Sequence, residues 1–438
     1  MDIGTTTPKQ PPRYPAYQDS GVEWLGDIPE HWGVKRMKFI VDNISEKVLS
    51  KDCDLHYIGM ENVESWTGKL VETESEVEGL ANLFQEGDVL FGKLRPYLAK
   101  VLLTENNGIC STEFLVYRAL SDVDNSFLNY LMRNHSFISI VNSSTYGSKM
   151  PRANSEFIGN LRVQLPPLEE QKRIADFLDR KVAQLDQAIA QKEQLIALLK
   201  ERRQVLIHRA VTRGLNPDAP LQHSGIDWIG EIPAHWEVKK LKYLANMKGG
   251  FAFNSASFKE SGVQIIKIAN TYMNELALDR QPTFVDDSFL KTHSDWIVRK
   301  GDILMSLTGT LGKKDYGFAI LIENEEVFLL NQRVGKLNPK NDLSPEYLLS
   351  VLHSEMYLNQ LYQLPSGTKQ ANLSNEDVLN IYVAISPDKS ERLKIVKFLD
   401  DSKAKTDKAI SQHETQIQKL KEYKATLINA AVTGKIRV

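Results

Sequence analysis

The sequence predicts an α+β chain: two mixed, β-rich globular domains separated by two long antiparallel coiled-coil helices, with a pseudo-two-fold internal repeat. Three observations predict it. Residues 20 to 39 (SGVEWLGDIPEHWGVKRMKF) return as residues 224 to 243 (SGIDWIGEIPAHWEVKKLKY), with 11 identities in 20 at an offset of 204. Residues 174 to 212 return as residues 395 to 433, with 19 identities in 39 at an offset of 221. The stretches between these matched ends are only faintly alike, and the second is 17 residues longer, the difference of the two offsets. A repeat governs the whole fold, so it is read before any single element.

In chain order, residues 1–19 are polar and proline-rich and read as a tail. The first domain spans 20–165 and the second 224–387. Gly87-Asp88-Val89-Leu90 in the first answers Gly301-Asp302-Ile303-Leu304 in the second, and Gly147-Ser148-Lys149 answers Gly367-Thr368-Lys369. Short β-branched and aromatic runs, Ile109 to Tyr117, Val263 to Ala269 and Val327 to Leu330, alternate with Gly, Asn and Asp, the pattern of strands and turns. Pro166-Pro167 stops the first domain before a helical region, 166–213. Alternate steps of four and three there give Leu178, Val182, Leu185, Ile189, Lys192, Ile196, Leu199, Arg203 and Leu206, seven of nine apolar. That is a heptad seam, and a helix carrying one is built to pair. Gly214 to Pro220 end it, and 214–223 read as a linker. In the distal helical region, 388–438, the seam is weaker: Leu399, Lys403, Thr406, Ile410, His413, Ile417, Leu420, Lys424 and Leu427, five of nine apolar.

A chain of 438 residues with 42% hydrophobic and 25% charged residues has ordinary globular composition and enough length for about three domains. No apolar run approaches the ~18 residues needed to span a bilayer, and the N-terminus has no hydrophobic signal core, so a cytoplasmic, non-membrane protein is expected. Cys53 and Cys110 are too few for a disulfide framework or a thiolate metal site. A net charge of −2 supplies no global field drawing the chain to nucleic acid, so DNA binding must come from local patches or helping subunits.

Catalytic signatures are absent. Gly309-Thr310-Leu311-Gly312-Lys313-Lys314 is the nearest approach to a phosphate loop, but Leu307 stands where the pattern needs glycine and Lys314 where it needs Ser or Thr. The histidines show no metal-ligand spacing; His31 and His235 lie in repeated I-P-x-H-W contexts and read as structural. The sequence contains neither an N-P-P-Y/F methylase motif nor a glycine-rich S-adenosylmethionine loop. What remains is recognition chemistry in turns. Lys93, Arg95, Tyr97 and Lys100 follow the first G-D-V-L strand, and Lys313 and Lys314 hold a similar place in the second half. Lys149 and Arg152, and Lys369, Gln370 and Asn372, follow the repeated Gly-Ser/Thr-Lys turns. Such groups suit phosphates and base edges, although a solvated face is the plain alternative. The tryptophan blocks, nearly identical around dissimilar middles, read as scaffold.

The block S-G-V-E-W-L-G-D-I-P-E-H-W, the strand G-D-V-L-F-G-K-L-R-P-Y-L, the helix start L-P-P-L-E-E-Q-K-R-I-A-D-F-L-D and the two-fold repeat together resemble the specificity (S) subunit of Type I restriction-modification enzymes. The resemblance runs from Tyr14 onward, with one departure: Ile385-Ser386-Pro387-Asp388-Lys389-Ser390-Glu391 replaces L-P-P-L-E-E-Q. It implies a non-catalytic DNA-binding subunit with two target-recognition domains, each reading half of a bipartite asymmetric site in double-stranded DNA. The helices would space the halves and dock methylase subunits, two in number, with restriction subunits joining the full complex. No cofactor is expected in this chain, and S-adenosylmethionine, ATP and magnesium are expected on the partners. Marking both strands requires methylases related by a two-fold axis, under which the helices run antiparallel with Lys192 and His413 near mid-length, polar residues able to set register. The competing reading is a coiled-coil scaffold with two protein-binding heads and no DNA.

Overall fold

The computed structural model describes residues 12–73, 79–145, 147, 149–365 and 369–438. Residues 1–11 of the expected tail, and Ser148, Gly367 and Thr368 of the repeated turns, lie outside them. Two compact units are formed, Met1–Glu193 with Glu414–Val438, and Gln194–His413.

In the first unit, strand Tyr17–Asp19 pairs antiparallel with Asp27–Pro29. This corrects the reading of 1–19 as a tail: Tyr14 is buried in the same core as Ile28 and Trp32, and that burial draws the chain into the domain before residue 20. Gly33–Arg36 then pairs with Arg162–Leu165, so the first and last strands of the head are stitched together. Between them lie two four-stranded sheets, one ordered Lys47–Leu49, Leu80–Phe84, Gly108–Ser111, Tyr57–Ile58, the other Val41–Ile44, Phe114–Ala119, Val89–Gly92, Val101–Leu103. Ile58, Phe84, Leu90, Cys110, Phe114 and Val116 form one core cluster. Helices Asn125–Arg133 and His135–Ser143 cover the second sheet's other face, each begun by a side chain, Asp124 or Asn134, that accepts the backbone N–H of the third helical residue.

The second unit repeats this plan. Leu221–His223 pairs with Glu231–Pro233, so the segment expected as a linker also closes in a strand. Glu237–Lys240 pairs with Tyr382–Ile385. One sheet is ordered Ala245–Gly249, Val334–Pro339, Ile303–Ser306, Ala319–Leu321, the counterpart of the first head's second sheet. The repeated G-D dipeptide has a structural cause. Asp88 is buried, accepts the backbone N–H of Gln85 and takes both Nε and Nη2 of Arg118 at 2.8 Å; Asp302 accepts the N–H of Arg299 and pairs with Lys336. Each aspartate closes the turn before its strand.

The two predicted spacer helices are single elements, Leu168–Arg213 (the central helix) and Lys389–Val432 (the distal helix). They run antiparallel: in the first unit Asp186 Oδ1 meets Lys424 Nζ at 2.6 Å and Lys192 Nζ meets Gln416 Oε1 at 2.6 Å, so one numbering rises as the other falls. Leu178, Ile189, Leu399, Ile410, Ile417 and Leu427 are buried on the seam; Val182, Leu185, Lys192, Ile196, Leu199, Leu206, His413 and Leu420 are half-buried. Lys403 steps off it and is exposed. Of the two polar residues the spacing singles out, Lys192 does bond across the pair, to Gln416, whereas His413 Nδ1 has no hydrogen-bond partner among the described residues. Ion pairs join the Lys192 contact across the helices, Asp186–Lys424 in the first unit and Asp407–Arg203 (3.0 Å) in the second. Asp186 and Asp407, like Arg203 and Lys424, are 221 residues apart, so the repeat supplies the same pair twice.

The same offset explains the histidines and the divergent helix start. Glu170 accepts hydrogen bonds from Tyr14 Oη (2.6 Å) and shares one with His31 Nε2 (2.8 Å). Glu391, 221 residues on, meets His235 Nε2 and accepts from Trp236 Nε1, both at 3.0 Å. Burial alone would raise these carboxyls, but the hydrogen bonds outweigh it and hold both below the usual glutamate range. Each tryptophan block is thus fastened to the N-terminal turn of a long helix, where negative charge also suits the helix dipole. Gln171, fully buried, ties the loop before helix Asn125–Arg133; at its repeat position Arg392 ties the loop before helix Pro345–Leu352 through Asp342. The helix ends are held equivalently as well. Ala210 and Val211 pack with Ile229, Ile232 and Trp236 in the second unit. Ile428, Ala431 and Val432 pack with Ile28 and Trp32 in the first, where Arg437 N–H also bonds Pro12 O.

Candidate nucleic-acid interface

In the first head, strand Val89–Gly92 leads into a turn held by backbone bonds to two distant segments. Lys93 donates its N–H to Glu113 O (2.9 Å), its carbonyl accepts from Ala153 N (2.8 Å), and Arg95 N–H bonds Pro151 O (2.8 Å). Arg95 takes the left-handed conformation, φ +52°, just before the short Pro96–Leu98 turn. The two predicted clusters, Lys93/Arg95/Tyr97 and Lys149/Arg152, are therefore brought together. Arg95, Tyr97 and Lys149 are exposed and Lys93 is half-buried. Arg152 is not a free cation, since its Nε and Nη2 grip Glu113 Oε2 and Oε1 at 3.1 Å each. Lys100 does not join the group: its Nζ turns inward to Met60 O at 2.6 Å and braces the domain. That is a correction to its expected role, because a half-buried ammonium takes a carbonyl when one is in reach.

The second head assembles its clusters in the same way, here through a short antiparallel ladder. Thr308–Thr310 pairs with Gln370–Asn372, which sets Lys313 and Lys314 beside Lys369, Gln370 and Asn372. All five side chains are exposed. Lys314, at φ +50°, places its Nζ 5.1 Å from the centre of the Tyr362 ring, a cation–π contact that orients the ammonium. Leu307 N–H bonds Arg333 O (3.0 Å), and Leu307 O accepts from Leu373 N (2.8 Å). Those bonds match the ones around Lys93, so both heads have one backbone frame with different side chains on it.

Of the tryptophan blocks, Trp32 and Trp236 are each 2% exposed, as scaffold requires. Trp24 packs near Phe137 at 6.5 Å, whereas Trp228 is 49% exposed. Sequence reasoning missed Glu113 and Arg333. Both sit in two- or three-residue strand turns that carry no motif, and only the pairing of those turns with the other segments makes them part of the surface.

Paired heads on antiparallel helices, with exposed cations and amides clustered in loops, define a class of two-headed nucleic-acid recognition proteins. The chain matches the family described as the Type I restriction modification DNA specificity domain twice, over residues 29–200 and 233–421, and it belongs to that family. It is 27% identical over 427 residues to the Type I restriction enzyme MjaVIII specificity subunit of Methanocaldococcus jannaschii, covering 94% of each chain. It is also 27% identical over 243 residues to the EcoDI specificity subunit of Escherichia coli, covering 54% of this chain and 53% of that one. Among solved structures, a chain from work on assembly and conformational transition of the type I R-M system superposes with a TM-score of 0.72 at 20% identity, covering 92% of this chain and 98% of that one. The HsdS subunit of Thermoanaerobacter tengcongensis gives 0.51 at 20% identity, covering 93% and 98%. The chain is a DNA-specificity subunit of the Type I restriction-modification class, and the scaffold alternative is not favoured.

Proposed function

We propose that this subunit reads a bipartite, asymmetric site in double-stranded DNA, each head taking one half, without catalysing any step itself. One observation carries the reading: the two heads share a backbone frame, but it carries exposed Arg95, Tyr97 and Lys149 with a half-buried, Glu113-clamped Arg152 in one, and exposed Lys313, Lys314, Lys369, Gln370 and Asn372 in the other. Arginine, asparagine and glutamine match guanine and adenine edges in the major groove, while lysines suit phosphates, so two different side-chain sets on one frame read two different half-sites.

Modifying a base requires taking it from the stack, and two partner methylase subunits would supply that chemistry and its S-adenosylmethionine. Restriction subunits would bring ATP and magnesium. The antiparallel helices would space the half-sites and dock the methylases, and the complex would act where the DNA is, in the cytoplasm. Among the described residues no helix is long and apolar enough to cross a membrane.

The test is selection from a random duplex pool, by the subunit alone and with its methylase partner. A split motif with a fixed gap is expected in the presence of the partner; enrichment of no motif, or of a single uninterrupted one, would overturn the reading.

A further inference from the structure

We infer that a third segment, the tight turn between the last two core strands of each head, belongs to the reading surface, and that Arg333 in this turn is a specificity-determining residue that selects guanine in the second half-site. The inference rests on the proposal that the heads read DNA.

The geometry begins with the shared frame. In the first head the backbone bonds run from Glu113 through Lys93 to Ala153; in the second they run from Arg333 through Leu307 to Leu373. Glu113 and Arg333 therefore occupy one position, and Arg152 and Asn372, each one residue before the last member, occupy another. Side chains at these two positions are neighbours, because in the first head they touch: Arg152 grips Glu113 with two bonds of 3.1 Å. The second head carries the opposite sign at the turn. Arg333 is exposed, and among the described residues its guanidinium makes no hydrogen bond or ion pair. Asn372 stands where the first head has its arginine, with Gln370 two residues before it on the same face of the strand.

Chemistry then assigns the roles. An uncommitted guanidinium fork matches the O6 and N7 acceptors of guanine, and neighbouring carboxamides match the N6 and N7 groups of adenine. In the first head Glu113 takes up two of the five donors on Arg152 and fixes its plane, as a carboxylate behind a reading arginine does. The same frame thus presents a braced arginine to one half-site and a free arginine with amides to the other.

The experiment uses the complex with its methylase subunits and selects from a random duplex pool, comparing wild type with Arg333→Ala and Arg333→Gln. Wild type is expected to enrich a split motif with guanine at one position of the second half. Arg333→Ala should lower that preference about tenfold or more and leave the first half unchanged; Arg333→Gln should move it toward adenine. Variants that keep the wild-type preference would overturn the inference. So would an equal affinity loss on all sequences with a shallower salt dependence, since that marks a phosphate contact. A wild-type complex that enriches no motif overturns the DNA reading beneath it, a result distinguishable from the other two.

Discussion

The junction at the end of the distal helix offers a sharp test of how the repeat is closed, through the substitution Gly434→Ala. Gly434 has φ +73°, and a β-carbon there would lie 2.4 Å from Pro29 Cδ, 2.7 Å from Pro29 Cγ and 3.0 Å from Trp32 Cη2. Neither obstacle can yield, because one is a proline ring and the other is a tryptophan 2% exposed in the core. Overpacking of this kind costs ~1–3 kcal/mol, and the left-handed conformation adds about 1 kcal/mol for a residue with a β-carbon. The expected loss is roughly 2–4 kcal/mol, less the few tenths regained from a stiffer unfolded chain. Gly214 closes the corresponding junction after the central helix. Its φ is +71°, but a β-carbon would meet only Glu391 Oε1 at 3.2 Å and Trp236 Cζ2 at 3.4 Å. Gly214→Ala should therefore cost only about 1 kcal/mol, mostly backbone strain. Two compact units do not unfold as one two-state system, so the assay is peptide-resolved hydrogen exchange, read separately around Trp32 and Trp236. Equal losses in the two variants, or a loss around Trp236 on changing Gly434, would refute the argument from close packing.

Four further outcomes follow from the same contacts. Joining Val438 to the N-terminus and reopening the chain near Pro217 should leave a soluble, DNA-selecting subunit, because the C-terminal residues already pack on the Tyr14 and Trp32 region; an insoluble permutant beside a soluble control fusion would count against it. Replacing residues 40 to 165 with another family member's first head should change one half-site only, which selection from random duplexes reads directly. Seven residues inserted after Gln194 and seven after Thr415 keep the heptad phase and lengthen the helix pair by ~10.5 Å, so the selected gap should grow by about three base pairs; recovery of the original gap would remove the helices as the ruler. Acid should loosen the tryptophan blocks: Glu170 and Glu391 are depressed in the folded state, so their contribution is complete above the ordinary glutamate value of 4.5 and is lost as pH falls through their lower native values, and Glu170→Gln should flatten that part of a stability profile.

The repeat made the architecture legible because its matched blocks are packing devices. Trp32 and Trp236, the alternating four-and-three seam and the glycines after each helix all act through burial or backbone conformation, and both leave periodic or duplicated traces in sequence. The terminal strands were hidden for a different reason: Tyr17–Asp19 and Leu221–His223 are three residues long and polar, and they exist because a neighbouring strand and a buried core accept them. The polar contact of Lys192 across the helix pair was legible, but the ion pairs were not, because an ion pair needs two positions far apart in sequence. Asp186 and Lys424 look like solvated helix charges until the helices are set side by side.

The proposed reading surface shows the same limit more strongly. Lys93, Arg95 and Lys149 could be suspected as basic residues in turns, but Lys100, from the same cluster, faces inward to Met60 O. Composition cannot separate them, since the distinction is which side of the strand turn each side chain leaves. Glu113 and Arg333 carried no signal at all, because no motif holds them and their significance lies in opposite charges at one place on a shared frame. Where a frame is kept and what stands on it varies, the frame is repeated in the sequence and the side chains on it are not, so the residues proposed to read DNA emerge only when the two heads are compared bond by bond.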